Sequence, residues 1–131
     1  MARMRKEARL WLAQSLRDLE VAGNSFRAGD WYAVAFWCHQ AAEKALKALL
    51  LSKGIALRGH NLLELGRKLG ELDLDLGELW RDLRRLNPHY TVARYPDAAN
   101  ALPCEVYDRE AALEALESAR RVVEWAKRIL S

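Results

Sequence analysis

The chain is poor in the residues that build sheets. Only nine of its 131 residues are Val, Ile or Thr, the β-branched types that favour strands. That shortage excludes a β-sandwich or barrel and argues against a doubly wound α/β fold. Cysteine is almost missing as well. Cys38 and Cys104 are too few for a disulfide framework, and their spacing matches no zinc site, so both read as small buried hydrophobes in a reducing compartment. No long apolar run is free of charge. The window from Trp31 to Leu51 is long enough to cross a bilayer, but it holds His39, Gln40, Glu43, Lys44 and Lys47, and each central charge would cost about 2.5–3.5 kcal/mol. Met1 is followed by Arg3, Arg5, Lys6 and Arg9 without an apolar stretch and a small-residue cleavage site, so the expectation is a cytoplasmic protein with neither secretory leader nor membrane contact. Repeats, low-complexity stretches and interdomain linkers are absent too, which leaves one domain over residues 1–131.

What the chain has in abundance is helix formers. Ala, Glu, Lys, Leu and Arg supply 76 of 131 residues, with Leu at 23 and Ala at 21. Apolar residues reach 51%, enough for a core, and charged residues 30%, with a net charge of +3. The expected fold is all-α, an up-and-down antiparallel helical bundle of four long helices plus a short one. Arg outnumbers Lys fifteen to six while Asn, Gln, Cys and Met total ten, a balance in keeping with a thermophile.

The first helix is expected from about Arg3 to Ala28, where Ala8, Leu12, Ser15, Leu19, Ala22 and Phe26 form one stripe. Gly29 suits a left-handed stop and Asp30 a cap for the next helix, about Trp31 to Ser52. That helix is apolar nearly all round at its start, so it is expected to be central or to face a second subunit. A short helix, Asn61 to Gly70, buries Leu62, Leu65 and Leu69. The period-two run from Glu71 to Leu76 reads as an acidic loop because a lone strand is not stable. Asp75 and Glu78 have capping-box spacing for a helix from Leu76 to Leu86, which Pro88 is expected to break or kink at Asn87. A loop over Tyr95 to Tyr107 leads to a last helix capped by Asp108 and ending near Leu130. Its stripe of Ala112, Leu116, Ala119, Val123, Ala126 and Leu130 repeats the spacing of helix one.

Two groups of residues could carry chemistry. Gln40, Glu43, Lys44 and Lys47 share one face of the most apolar helix. They could be a solvated face with an ordinary Glu43–Lys47 pair, or the polar lining of a cleft whose lysines attract phosphate. Arg81, Arg84, Arg85, His89, Tyr90 and Arg94 form the second group, with a local charge of +3 over residues 81–94. Cations gather favourably at a helix C-terminus; equally, guanidinium forks bind phosphate and histidine moves protons near neutral pH. His60 reads as a capping or packing histidine, and most of the five tryptophans as core. No His or carboxylate pair has metal spacing, and neither a metal nor another cofactor is expected.

Gln40 to Leu50 (with Glu43, Lys44 and Lys47), then His60-Asn61-Leu62, then Arg94-Tyr95-Pro96-Asp97 and a closing amphipathic helix resemble the HEPN family, the higher eukaryotes and prokaryotes nucleotide-binding domain, in its prokaryotic Arg-Tyr-Pro-Asp branch. The resemblance implies a bundle of four or five helices that forms a homodimer or higher homo-oligomer. It also implies a minimal nucleotidyltransferase partner in a toxin–antitoxin-like module and a nucleotide or RNA phosphate as ligand. Lys44, Lys47, Arg94, Tyr95 and Asp97 would bind phosphate, supported by Gln40, Glu43, His60 and Tyr90, in a cleft between helix two and the segment from Arg84 to Asp97. Members with an Arg-x4–6-His motif are metal-independent ribonucleases, and Arg84 and His89 meet that spacing. Arg85 stands where the motif usually has a polar residue, and Pro88 interrupts it. Positions five apart on an unbroken helix point about 140° apart. Two further readings therefore stand beside the binding module: an endoribonuclease using Arg84 and His89, and a non-catalytic structural companion of the partner.

Overall fold

Leucine and alanine stripes at helical spacing give helices and nothing else among the described residues. The computed structural model describes the backbone of residues 2–131 and side chains from Arg5 onward; Met1 and the side chain of Arg3, part of the basic start, lie outside the described residues. The elements are α1 (Ala2–Ala28), α2 (Trp31–Ser52), α3 (Leu62–Glu71), α4 (Leu79–Leu86), the single turns α5 (His89–Val92), α6 (Pro96–Ala99) and α7 (Pro103–Val106), and α8 (Arg109–Leu130). The bundle is up-and-down and all-helical as expected, although the fourth helix is only eight residues long.

α2 is the axis. Its side chains from Cys38 to Leu51 are buried apart from Gln40, Lys44 and Lys47, which are half-buried. α1 and α8 pack on α2 and on each other. Leu46, Leu49 and Leu50 are fully enclosed, and cutting any of them to alanine costs about 2–5 kcal/mol in sites of this kind. A single chain thus wraps most of the helix that was expected to be central or to face a second subunit; its exposed large apolar side chain is Tyr32, near its start. Small residues make the approach possible: Ser15 of α1 donates its hydroxyl to the Ala41 carbonyl at 2.6 Å.

The helix ends differ from their sequence signals in several places. Gly29 is left-handed at φ 79°, but Asp30 makes no side-chain cap bond. Asn61, not His60, caps α3, accepting from the Leu63 and Glu64 amides. Asp75 accepts from Gly77 at 3.0 Å in a local turn, so there is no capping box and α4 begins at Leu79 instead of Leu76. Asp108 caps α8 as expected, through the Ala111 amide. Asn87 keeps helical dihedrals (φ −54°, ψ −44°) in spite of Pro88, since its side chain is held by the Leu62 amide at 2.8 Å. Pro88 removes one helical hydrogen bond and the chain restarts as α5. The expected loop from Tyr95 to Tyr107 contains two turns of helix, each with proline in its first turn, where the missing N–H costs nothing. Gly66 lets α3 approach α4, because a Cβ there would stand 2.9 Å from both Leu83 and Trp80. Cys38 is buried, but Cys104 is exposed, which corrects the reading of both as core residues. The tryptophans line the core's margin, Trp11 being the exposed one.

Candidate functional site

The segment α5 to α7 is too short to hold itself together, and it is pinned to the first half of α2 by a small second core. Ala35, Ala93 and Tyr107 are buried there, with Trp31, Phe36, Val92 and Ala111 around them. His89 and Tyr107 add a hydrogen bond of 2.7 Å across it. This packing sets Tyr90 and Arg94 over the α2 face that carries Phe36, His39 and Glu43.

Glu43 is the hinge of the polar cluster. It is 4% exposed, and its Oε1 accepts from His60 Nδ1 at 2.8 Å while its Oε2 accepts from Lys47 Nζ at 3.1 Å. His39, fully buried, donates its Nε2–H to the His60 carbonyl at 2.9 Å and accepts from Gln40 at Nδ1, 3.3 Å away. Burial pulls the His39 pKa down to about 4 against the opposing pull of Glu43, so the ring is neutral, as its two bonds require. The His60 imidazole lies flat on the Tyr90 ring, 3.9 Å between centroids and 13° between planes.

Arg94 occupies an aromatic box. Its Nε donates to the Tyr90 carbonyl at 2.8 Å, and its guanidinium carbon lies 4.2 Å from the Tyr90 ring, 4.7 Å from Tyr95 and 4.8 Å from Phe36. Among the described residues no carboxylate pairs with it, which leaves the Nη groups free to meet an anion. Asp97 is exposed in the first turn of α6 and forms no hydrogen bond or ion pair with Arg94.

The α2 lysines are differently placed. Lys44 donates to Asp18 at 2.6 Å and to Gln40 at 3.3 Å, and Lys47 is taken by Glu43 with the Trp11 ring 5.7 Å from its ammonium. The face is therefore not a solvated one, and both ammonium groups already have carboxylates. The hollow beside Lys47, about 460 Å³, is lined by Glu7, Trp11, Leu51, Ala56, Leu57, Arg58 and Gly59. It opens between α1, the end of α2 and the following loop, and not between α2 and residues 84–97.

Arg84 and His89 do not meet within the chain. Arg84 is exposed on α4 with no hydrogen bond or ion pair among the described residues, and Arg85 pairs with Glu114 at 3.3 Å. The His89 ring is turned into the second core. Burial, aided by repulsion from His39, pulls its pKa down to about 4, and burial pushes the Tyr107 hydroxyl up to about 12. At the other end of this group only Arg81 lines a hollow between α4 and α8, where it joins Arg120, Arg121 and Arg128 of α8 among Glu78, Asp82 and Glu124. No group of three or more His, Cys, Asp and Glu side chains among the described residues is arranged to hold a metal ion.

His39 is the partner that the spacing could not reveal. It sits in an apolar run, and its contact with residue 60 depends on the return of the loop after α2.

A bundle of this order, with His60, Tyr90 and Arg94 gathered on its central helix, belongs to a defined class. The HEPN domain pattern matches residues 8–129, and the chain is a member of the HEPN domain family. Among known proteins it is 28% identical over 136 residues to "Putative toxin MJ1304" of Methanocaldococcus jannaschii, covering 95% of this chain and 89% of that one. Its fold matches the crystal structure of TT1696 from Thermus thermophilus with a TM-score of 0.88 and 37% identity, over 93% of this chain and 97% of that chain. It also matches ST0689, an archaeal HEPN homologue, with a TM-score of 0.79 and 31% identity, over 95% and 98%.

Proposed function

We propose that this HEPN protein is the toxin-like member of a two-component module and that it binds a nucleotide or an RNA phosphate at Arg94. The observation that carries the reading is a guanidinium boxed by three rings and a carbonyl with no carboxylate on it. A cation held that way has lost the competitor that neutralises most surface arginines, and Tyr95, 46% exposed, offers a ring on which a base can stack. Phosphate recognition moves from Lys44 and Lys47, which hold buried carboxylates in place, to Arg94. The toxin name carried by the Methanocaldococcus relative supports the module, with a minimal nucleotidyltransferase as the partner and a homo-oligomer as the working form; exposed Leu10, Tyr32, Leu102 and Val106 give such contacts apolar surface. Of the enzymatic readings, the Arg84–His89 pair is poorly served, because the two side chains are apart and His89 is engaged by Tyr107.

Calorimetric titration with AMP, ATP and a short single-stranded RNA tests the binding. Saturable binding of one of them should weaken at least about tenfold in Arg94→Ala, the worth of one charge-assisted contact, and Arg94→Lys should not restore it, since an ammonium cannot fork and stacks poorly. Absence of saturable binding by the unaltered protein would leave the structural-companion reading in its place.

A further inference from the structure

We propose that the hollow where α1 starts and α8 finishes is the docking groove for an acidic amphipathic helix of a partner protein. The inference stands apart from the anion-binding reading, since it needs no ligand at Arg94. Phe36, which boxes Arg94, and Ser52, which lines the hollow, lie on α2 about 16 residues apart, or roughly 24 Å at about 1.5 Å per residue. The two sites are separate.

The charge around this hollow is of one sign. Its volume is about 530 Å³, and its lining includes Arg5, Arg9, Lys53 and Lys127 but no Asp or Glu among the described residues. Those four side chains form no hydrogen bond or ion pair among the described residues. Against them stands at most one full negative charge, a carboxylate at Ser131. Lys53 and Lys127 lie at the C-terminal ends of α2 and α8, where cations favour the helix dipole. Arg5 and Arg9 come instead from the N-terminal part of α1, whose first turn holds no acidic residue and whose dipole gives a cation no support. Two other hollows differ in this respect: Glu78, Asp82 and Glu124 line that between α4 and α8, and Glu7 lines that beside Lys47. Like charges gathered without counter-charges repel one another, and an acidic partner relieves the repulsion.

The walls select the kind of acid. Ala8, Leu12 and Leu130 line the hollow beside the cations, together with Ile129, which is 37% exposed. No aromatic ring lines it among the described residues, so a nucleic acid would find phosphate contacts but no platform for its bases. A bilayer is flat and is gripped by apolar side chains that protrude among basic ones, whereas this surface is concave. An aliphatic hollow set among cations suits a helix with Leu or Ile along one face and Glu or Asp beside them. α1 and α8, packed on each other, supply the two sides of the groove.

The test is binding of a fluorescein-labelled synthetic peptide to the full chain, followed by anisotropy. The peptide has about 14 residues, roughly four helical turns, with Leu at every third or fourth position and Glu at most others. Saturable binding is expected. It should weaken at least about tenfold when the peptide's leucines become alanine, and as much when Arg9→Glu and Lys127→Glu are combined. Ile129→Ser, a change at an exposed side chain that spares the core, should weaken it about threefold. The same two charge reversals at Arg67 and Lys68 of α3, neither of which lines the hollow, should leave the affinity within about twofold, because screened charges outside the groove contribute little. Melting curves of all the variants should stay close to that of the unaltered protein. Absence of saturable peptide binding overturns the inference. So does binding that ignores the loss of the leucines or falls equally with the α3 reversals, since either result reduces the groove to net positive charge. Phosphatidylglycerol vesicles or single-stranded RNA that bind the unaltered protein more tightly than the peptide does, and lose that binding in the Arg9→Glu, Lys127→Glu variant, overturn it in favour of a lipid surface or a nucleic acid.

Discussion

Among the described residues three carboxylates are buried, Asp18, Glu43 and Asp82, and the surroundings of the last two differ in what is left over. Asp82 of α4 is 2% exposed and accepts from the Ser118 hydroxyl at 2.8 Å, from Arg121 Nε at 3.1 Å and from Arg121 Nη2 at 2.9 Å. The hydrogen bond from Arg121 to Asp82 raises the guanidinium pKa further. The Asp82 carboxylate and the Ser118 hydroxyl are enclosed, and Arg121, 45% exposed, closes over them from the surface with its Nε and Nη2 spent on Asp82, which makes a bolt between α4 and α8. Glu43 is just as enclosed, but one of its partners is an imidazole with a second nitrogen that faces outward. Burying a carboxylate demands partners in both cases. Where a partner has two ends, the same demand also aims a functional group.

The contrast is broken most forcefully at the bolt. Asp82→Ala leaves Ser118 buried without an acceptor and Arg121 without its carboxylate, and should lower stability by about 2–3 kcal/mol, read from urea unfolding, while the affinity of the folded fraction for RNA stays unchanged. Acid provides the next test. His39 and His89 have folded pKa values near 4 against an ordinary value of 6.5, so between about pH 6.5 and pH 4 the unfolded chain binds more protons than the folded one. Stability therefore falls as pH drops through that window and is unaffected by these two groups above it. Both histidines lie on the α2–α5 side, so Asp82→Ala should keep the acid slope of the unaltered protein, and His89→Gln should make it shallower. Glu43→Gln should be the mildest of the three in stability, about 1–2 kcal/mol, since the amide oxygen still accepts one bond; a loss as large as that of Asp82→Ala would make the second cluster a bolt like the first.

Much of the bundle was legible because its signals are local and periodic. The stripes of α1 and α8 are buried or half-buried as spaced, and Gly29 and Asp108 mark real ends. The failures have a common cause. Pro96 and Pro103 suggest loop in the sequence, yet proline starts a helix as readily as it stops one, and the single turns they begin pack on other elements, α6 on α5 and α7, and α7 on the distant α2. Asn87 stayed helical because Leu62, 25 positions earlier, needed an acceptor. The site shows the same split. Arg94, Tyr95, Tyr90, Glu43 and His60 stood out as residue types, but the pairing of Glu43 with His60, the neutral His39 beneath them and the capture of Lys44 by Asp18 arise only when α1 and the loop after α2 close on the central helix. The α4 capping box failed for a simpler reason: Asp75 found a nearer amide in Gly77.

Arg94 is tethered by its own Nε to the carbonyl four residues back, and that tether has a thermodynamic consequence. A free arginine surrenders about 2 kcal/mol of rotamer freedom when it grips a ligand. Here folding has already frozen the stem, so an arriving anion meets a guanidinium with little disorder left to lose, and more of each new contact survives as affinity.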